Sequence, residues 1–131
     1  MQSSMHSILY QGGDDMLKYD ELNELLVLNF DAMKEAFDYF CTLGGCNTHG
    51  LYACEFVPFI IEQLEKGNDR ELKRAFEVIE HIYAHGDREC LYVANVSIAE
   101  PLYNLAFDKY SKKIISLCGP VSRKEFAEML D

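Results

Sequence analysis

Positive charge is scarce in this sequence. Its 131 residues include 12 lysines and arginines against 22 aspartates and glutamates, which gives a formal net charge of −10 at pH 7. Such a surface repels the phosphate backbone of DNA and RNA and attracts basic molecules at long range. We therefore expect no binding to nucleic acid and consider a basic protein partner. Solubility alone is the alternative explanation of this charge.

Long apolar runs are also missing. No run approaches the roughly 20 residues of a membrane span, although 49% of the residues are apolar. The first residues, MQSSMHSILYQGGDD, lack the basic flank and the long apolar stretch of a secretory signal. The length and composition are typical of one soluble globular domain over residues 1–131. We expect this domain to be cytoplasmic and to make no contact with a membrane.

Motifs of catalysis are absent as well. The glycine pairs at 12–13 and 44–45 lack the spacing and the following Lys-Ser/Thr of a phosphate loop, and there is no G-x-S-x-G elbow. His81 and His85 follow Glu80 in the order E-H-x-x-x-H, not H-E-x-x-H, and no third metal ligand is evident. Histidine is favoured near a helix C-terminus, which explains both residues. We expect a protein that is not an enzyme and has no cofactor.

Five cysteines form an odd set without an export signal, so the sequence predicts reduced thiols. Three of them join one histidine in the stretch CTLGGCNTHGLYAC, which has the spacing C-x4-C-x2-H-x4-C. These residue types bind zinc, but the paired short knuckles of a typical zinc site are missing. We expect no metal. A zinc-binding protein is the less favoured alternative, with the candidate ligands Cys41, Cys46, His49 and Cys54.

What the sequence does contain is helical periodicity. In residues 20–40, apolar residues recur at steps of three and four with acidic residues between them, which predicts one long helix. Similar stripes predict helices at about 52–66, 69–85, 87–101 with the continuation LYNLAF, 109–119, and 122–130, the last beginning with a capping box of Ser122 and Glu125. The predicted fold is all-α: a compact array of about six antiparallel helices behind a partly irregular leader, residues 1–19.

The tripeptide Asp-Arg-Glu occurs twice, at 69–71 and at 87–89. Asp69 and Asp87 are predicted to cap the helices that follow them. Gly67 and Gly86 are predicted to end the preceding helices in the left-handed conformation. The doubling is a faint internal repeat, and it gives the array the character of a HEAT-like α-solenoid.

The candidate partner-binding residues lie in the first third of the chain. Residues 1–40 contain eight acidic residues against Lys18 and Lys34. Four of the acidic residues (Glu24, Asp31, Glu35 and Asp38) fall on one side of a single helical wheel, and tyrosine is a favoured anchor at interfaces. A solvent-facing stripe is the alternative explanation. The predicted binding residues are Asp14, Asp15, Asp20, Glu21, Glu24, Asp31, Glu35, Asp38 and Tyr39.

Residues 52–103 contain a helix ending in Phe-x-x-Ile-Glu, a Gly-Asp turn and then Val-Ser-x-x-Glu-x-Leu, at Phe76, Ile79, Glu80, Gly86, Asp87, Val96, Ser97, Glu100 and Leu102. With this pattern, the segment resembles an uncharacterised bacterial all-helical domain family. That family is similar to the immunity proteins of polymorphic toxin systems, including those of contact-dependent growth inhibition.

The resemblance implies a cytoplasmic antidote that binds the C-terminal domain of its cognate toxin and covers the toxin's active site. Many such toxins are nucleases with basic clefts, and attraction between opposite charges speeds association. Glu80 and Glu100 match the family pattern, and we expect their carboxylates to bond to free N–H groups near a bend. A helical adaptor or regulatory module with another protein partner is the alternative function.

Overall fold

The computed structural model describes residues 16–42 and 47–130, and within these ranges the chain folds into six helices. A short 3-10 turn, Tyr19–Glu21, precedes the first helix. The helices are α1 (Leu22–Asn29), α2 (Asp31–Thr42), α3 (Thr48–Leu51, Tyr52–Phe56 and Val57–Lys66, joined end to end), α4 (Asp69–His85), α5 (Arg88–Val93, Ala94–Ala99 and Glu100–Leu117, also joined) and α6 (Pro120–Leu130). The predicted all-α fold is confirmed, and the solenoid character stays a prediction.

The single long helix predicted over residues 20–40 is wrong, because the helix breaks at Phe30. This residue has extended backbone angles (φ −140°, ψ 118°), and its buried ring packs against Phe56 and Phe59 at centroid distances of 5.6 and 5.3 Å. Apolar spacing continues through the break because α1 and α2 both turn an apolar side inward. The stripe alone therefore could not reveal two helices.

Helices α3 and α5 each contain a π-helical segment, Tyr52–Phe56 and Ala94–Ala99. Each segment ends two residues before a proline, Pro58 or Pro101. Proline has no N–H and its ring collides with the carbonyl four residues earlier in a regular α-helix. The wider π turn relieves this conflict, so neither proline ends its helix. The chain therefore continues through Pro101 after a π segment, and the kink in α5 lies further on, at Tyr110 (φ −121°, ψ 22°).

Helix α6 begins at Pro120, so the predicted capping box of Ser122 and Glu125 is wrong. The cap comes from another helix. The carboxylate of Glu80, on α4, accepts hydrogen bonds from the N–H groups of Val121 (3.0 Å) and Ser122 (2.8 Å). The predicted bonding of the Glu80 carboxylate to free N–H groups is confirmed, but these groups belong to a helix start and not to a bend, and Glu100 is exposed.

The close approach of Glu80 to the start of α6 requires a glycine. A Cβ atom at Gly119 would lie 2.5 Å from the Cδ atom of Glu80, which is too close for any side chain. Together, Gly119 and Glu80 fix α6 against α4.

Buried side chains from α1 to α6 form one core. Its largest fully buried members include Tyr52, Phe56 and Phe76. The hydroxyl of Tyr52 donates to the carbonyl of Leu22 at 2.6 Å, which satisfies the one polar atom of that ring inside the core. The side chain of Leu17 also lies in this core. Residues 16–21, the described segment before α1, are therefore anchored to the helices through Leu17 and Tyr19.

The two Asp-Arg-Glu copies form different turns. Gly67 is left-handed as predicted (φ 68°), but the cap of α4 is Asn68, whose side chain accepts from the N–H of Glu71 at 3.4 Å. Gly86 is not left-handed (φ −74°), while Asp87 caps α5 as predicted. The predictions for Asp69 and Gly86 are wrong because Asn68 separates the glycine from the aspartate in the first copy only.

Candidate protein-binding surface

The strongest cluster of predicted binding residues lies on α2. Asp31, Glu35 and Asp38 are spaced by four and three residues, so they share one side of the helix, and all three are exposed. We call these three residues the acidic face. Asp38 lies 3.8 Å from the amino group of Lys34, and both side chains are 66% exposed. A pair this exposed interacts weakly, so the negative charge of the acidic face stays available to a partner.

An exposed aromatic side chain adjoins the acidic face. Tyr39 follows Asp38 near the end of α2 and is 62% exposed. The hydroxyl of Thr42 donates to the Tyr39 carbonyl at 2.6 Å, within the last turn of the helix. An exposed tyrosine ring next to carboxylates offers apolar contact area to a protein partner.

The remaining predicted residues do not join this cluster. Glu24 is exposed but lies on α1, so its predicted place on one helical wheel with the α2 residues is wrong, because Phe30 breaks the helix between them. Asp20 is exposed in the 3-10 turn, and a carboxylate oxygen of Glu21 accepts from the Lys18 N–H at 2.9 Å. Glu21 therefore supports the turn. Asp14 and Asp15 lie outside the described residues.

A concave surface that the sequence did not predict lies where the two π segments meet. The Nδ1 atom of His49 lies 2.5 Å from the hydroxyl oxygen of Ser97, and its ring meets the ring of Tyr92 edge to face at 5.5 Å. Ala53 and Val96, one from each π segment, complete an open groove of about 580 Å³. The signal in the sequence was the pair of prolines, because a proline inside a helix conflicts with regular α-helical geometry and π segments are frequent at functional sites.

The contact between His49 and Ser97 positions the imidazole and does not make a nucleophile accessible. Ser97 lines the groove but is only 3% exposed, so its hydroxyl is poorly accessible from solvent. The groove instead presents the exposed ring of Tyr92 beside the half-buried ring of His49.

The predicted metal candidates are dispersed in the described part of the chain. There, no group of three or more His, Cys, Asp or Glu side chains is arranged to hold a metal ion. Cys41 is disulfide-bonded, which corrects the prediction of reduced thiols at this position and removes it as a thiolate ligand. Cys54 is a free, exposed thiol, and Cys46 lies outside the described residues.

Two other cysteines are buried free thiols. Burial raises the pKa of Cys90 to about 12 and the pKa of Cys118 to about 11. Cys90 donates to the Leu17 carbonyl at 3.4 Å and Cys118 to the Ile114 carbonyl at 3.3 Å. Thiols of such high pKa are protonated at neutral pH and are poor nucleophiles, so both have a packing role.

The two histidines at the end of α4 differ in environment. His81 is 5% exposed, and its ring lies 4.9 Å from the ring of the exposed His85. Burial, and then the nearby His85, lowers the pKa of His81, so this imidazole is neutral near pH 7. The His85 carbonyl accepts from the Leu17 N–H at 2.7 Å. In the described structure, the C-terminal end of α4 thus forms a backbone hydrogen bond with Leu17, which precedes α1.

Among the described residues, no helix has the length and apolar character needed to cross a membrane. Comparisons with curated proteins and with solved structures give no match. A family model described as "Domain of unknown function (DUF7674)" matches residues 23–131. This match covers all six helices apart from the first residue of α1, so the chain belongs to the DUF7674 family.

Proposed function

We propose that the protein is a bacterial immunity protein. It binds the C-terminal domain of a cognate polymorphic toxin, a basic nuclease, in the cytoplasm and covers the active site of that domain. The acidic face of α2 carries this proposal, because three exposed carboxylates in a row complement a cleft that has evolved to hold phosphate groups. The resemblance of residues 52–103 to immunity proteins supports the same conclusion.

Neutralisation by contact needs no reaction of the immunity protein itself. The acidic face attracts the basic cleft during encounter, and the net charge of −10 adds to this attraction at distances up to the screening length. Tyr39 then supplies apolar contact area at the edge of the charged cluster. The helices that present these side chains are packed on one core, so little ordering is needed on binding.

The test uses the protein encoded by the neighbouring gene, expressed as its C-terminal domain. We expect the two chains to purify together and the nuclease activity of the domain to be lost in the complex. The variant Asp31→Asn/Glu35→Gln/Asp38→Asn should bind about tenfold more weakly at low salt, with a smaller loss at about 0.15 M salt, because screening reduces the charge contribution. Titration calorimetry at both salt concentrations measures this difference.

A matched variant controls for the change in net charge. Glu62→Gln/Glu65→Gln/Glu128→Gln removes the same number of exposed carboxylates from α3 and α6. It should retain almost the full affinity of the unmodified protein. Equal losses in the two variants would contradict the role of the acidic face. A neighbouring-gene product that is not bound and not inhibited would contradict the immunity function and favour an adaptor with another partner.

A further inference from the structure

A groove of opposite charge lies at the other end of the chain, between α5 and α6. Its volume is about 660 Å³ and it is open to solvent. Tyr103, Phe107 and Ile115 provide its apolar surface, with the rings of Tyr103 and Phe107 at a centroid distance of 5.3 Å and an interplanar angle of 32°. We call this the basic groove because two cations, Lys112 and Arg123, lie at its edges.

The two cations are presented from different helices. Lys112 is exposed on α5, after the kink at Tyr110. Arg123 is exposed on α6, and its guanidinium donates to the Cys118 carbonyl at 3.2 Å. A guanidinium has five N–H donors, so this bond orients the group and leaves donors for a ligand. An oriented guanidinium loses less entropy when it binds a carboxylate.

One carboxylate lies in the same groove. Asp108 is exposed and lines it together with the two cations. Its negative charge repels an anionic ligand. With two cations and one carboxylate, the lining has a net charge of +1, in a protein whose total charge is −10. A local excess of positive charge over an aromatic surface is unusual for this molecule, and it complements a ligand that combines negative charge with an apolar ring.

We propose that the basic groove binds an acidic peptide segment in which carboxylates lie next to an aromatic side chain. The carboxylates contact Arg123 and Lys112, and the aromatic ring packs against the exposed ring of Tyr103, which lies against the buried ring of Phe107. This site lies on α5 and α6, whereas the acidic face lies on α2, so the inference is independent of the immunity function. The protein then has two binding surfaces of opposite charge.

The test is a fluorescence anisotropy titration with labelled peptides. A peptide of repeated Glu-Asp-Phe triplets should bind, and peptides of Glu-Asp-Ser or Lys-Arg-Phe triplets should bind much more weakly. Lys112→Gln should weaken binding of the first peptide roughly threefold, the effect of one exposed charge pair. Asp108→Asn should strengthen it by a similar factor, since a repulsive charge is removed.

Opposite effects of two single substitutions in one groove are difficult to obtain from a change in folding. Arg123→Gln should weaken binding more than Lys112→Gln, and thermal unfolding of this variant checks the contribution of its bond to the Cys118 carbonyl. The acidic-face variant should bind the Glu-Asp-Phe peptide normally, which separates this test from that of the immunity function.

Three results would overturn the proposal. The first is absence of binding by the Glu-Asp-Phe peptide, or equal binding of all three peptides. The second is the same direction of change in Lys112→Gln and Asp108→Asn. The third is concentration-dependent dimerisation in sedimentation experiments that Lys112→Gln abolishes, because the occupant of the groove would then be a second copy of this chain.

Discussion

The same tripeptide, Asp-Arg-Glu, stands at two turns of this molecule and forms two different structures. In the turn between α3 and α4, Gly67 is exposed and left-handed, and a Cβ atom there would meet nothing within 4 Å. In the turn between α4 and α5, a Cβ atom on Gly86 would lie 2.5 Å from the Ile82 carbonyl oxygen and 2.6 Å from the Cβ atom of Cys90. Glycine is favoured at position 67 because the backbone there is left-handed, and it is needed at position 86 because there is no space for a Cβ atom.

The difference extends to what each turn holds. Asp69 points to solvent and forms an exposed ion pair with Lys113 at 2.6 Å. Asp87 accepts from the N–H groups of Cys90 (2.9 Å) and Tyr19 (3.3 Å), and its own N–H donates to the Leu17 carbonyl at 2.8 Å. The second turn is thus a tertiary junction that holds residues 17–19 by several hydrogen bonds, whereas the first makes one exposed ion pair with α5.

The largest expected effect separates the two glycines. Gly86→Ala should lower the free energy of unfolding by about 3 kcal/mol, because the new methyl group can be accommodated only by moving the backbone of α4 or α5. Gly67→Ala should lower it by about 1 kcal/mol, the usual penalty for a left-handed alanine. Urea unfolding at neutral pH measures both values. Equal losses would show that the close packing at Gly86 relaxes without penalty.

A smaller difference is expected between the two caps. Asp87→Ala should lower the free energy of unfolding by about 2 kcal/mol, because it leaves the N–H groups of Cys90 and Tyr19 without their acceptor. Asn68→Ala should lower it by about 1 kcal/mol, since its bond to the Glu71 N–H is long and the turn is exposed. The same urea experiment measures both.

Amide hydrogen exchange adds a specific readout to this comparison. Asp87→Ala should expose the amides of Leu17 and Tyr19 to exchange, although both are far from the substituted residue in sequence. Asn68→Ala should change only amides at the start of α4. Unchanged protection at Tyr19, the amide that loses its acceptor in the Asp87 variant, would contradict the role of the Asp87 side chain in this junction.

Local signals determined how much of the fold could be predicted from the sequence. The bounds of α4, Asp69–His85, were predicted correctly because an amphipathic stripe ends at a glycine turn on both sides. The break at Phe30 could not be predicted, since the apolar spacing continues across it and only tertiary packing of the ring selects the extended backbone. The cap of α6 was wrongly assigned to Ser122 because the actual acceptor, Glu80, is 42 residues away in the sequence and approaches α6 only in the folded structure.

The same distinction applies to the candidate site. Asp31, Glu35 and Asp38 were grouped correctly because spacing within one helix decides which residues share a side. Glu24 was grouped with them only through the assumption of an unbroken helix. The groove at His49 and Ser97 combines residues 48 positions apart, and the basic groove combines two helices. The spacing of residues within a single helix cannot predict which residues of two different helices lie next to each other.

The smallest expected effect is a pH dependence confined to the second turn. The hydrogen bond from the Cys90 N–H, more than any other contact, lowers the pKa of Asp87 below its ordinary value of 3.8. The charged form is therefore favoured by folding. Its stabilisation is complete above pH 3.8 and is lost as the pH falls through the lower pKa of the folded state. Asn68, the cap of the first turn, has no charge to lose.

Asp87→Asn isolates this contribution, because the amide oxygen still accepts the cap bond from the Cys90 N–H and the amide does not titrate. The bond from the Tyr19 N–H is lost in this variant, and that loss does not depend on pH. The free-energy difference between the unmodified protein and Asp87→Asn, measured by urea unfolding, should shrink as the pH is lowered from above 3.8. His81 contributes separately: its pKa is also lowered, so its protonation in the unfolded chain reduces stability once the pH falls below 6.5. That loss should be the same in both proteins and cancel. A free-energy difference that stays constant through the acidic range would mean that the contacts of Asp87 do not favour its charged form. The cap of the second turn would then act only through its hydrogen bonds, like Asn68 in the first turn.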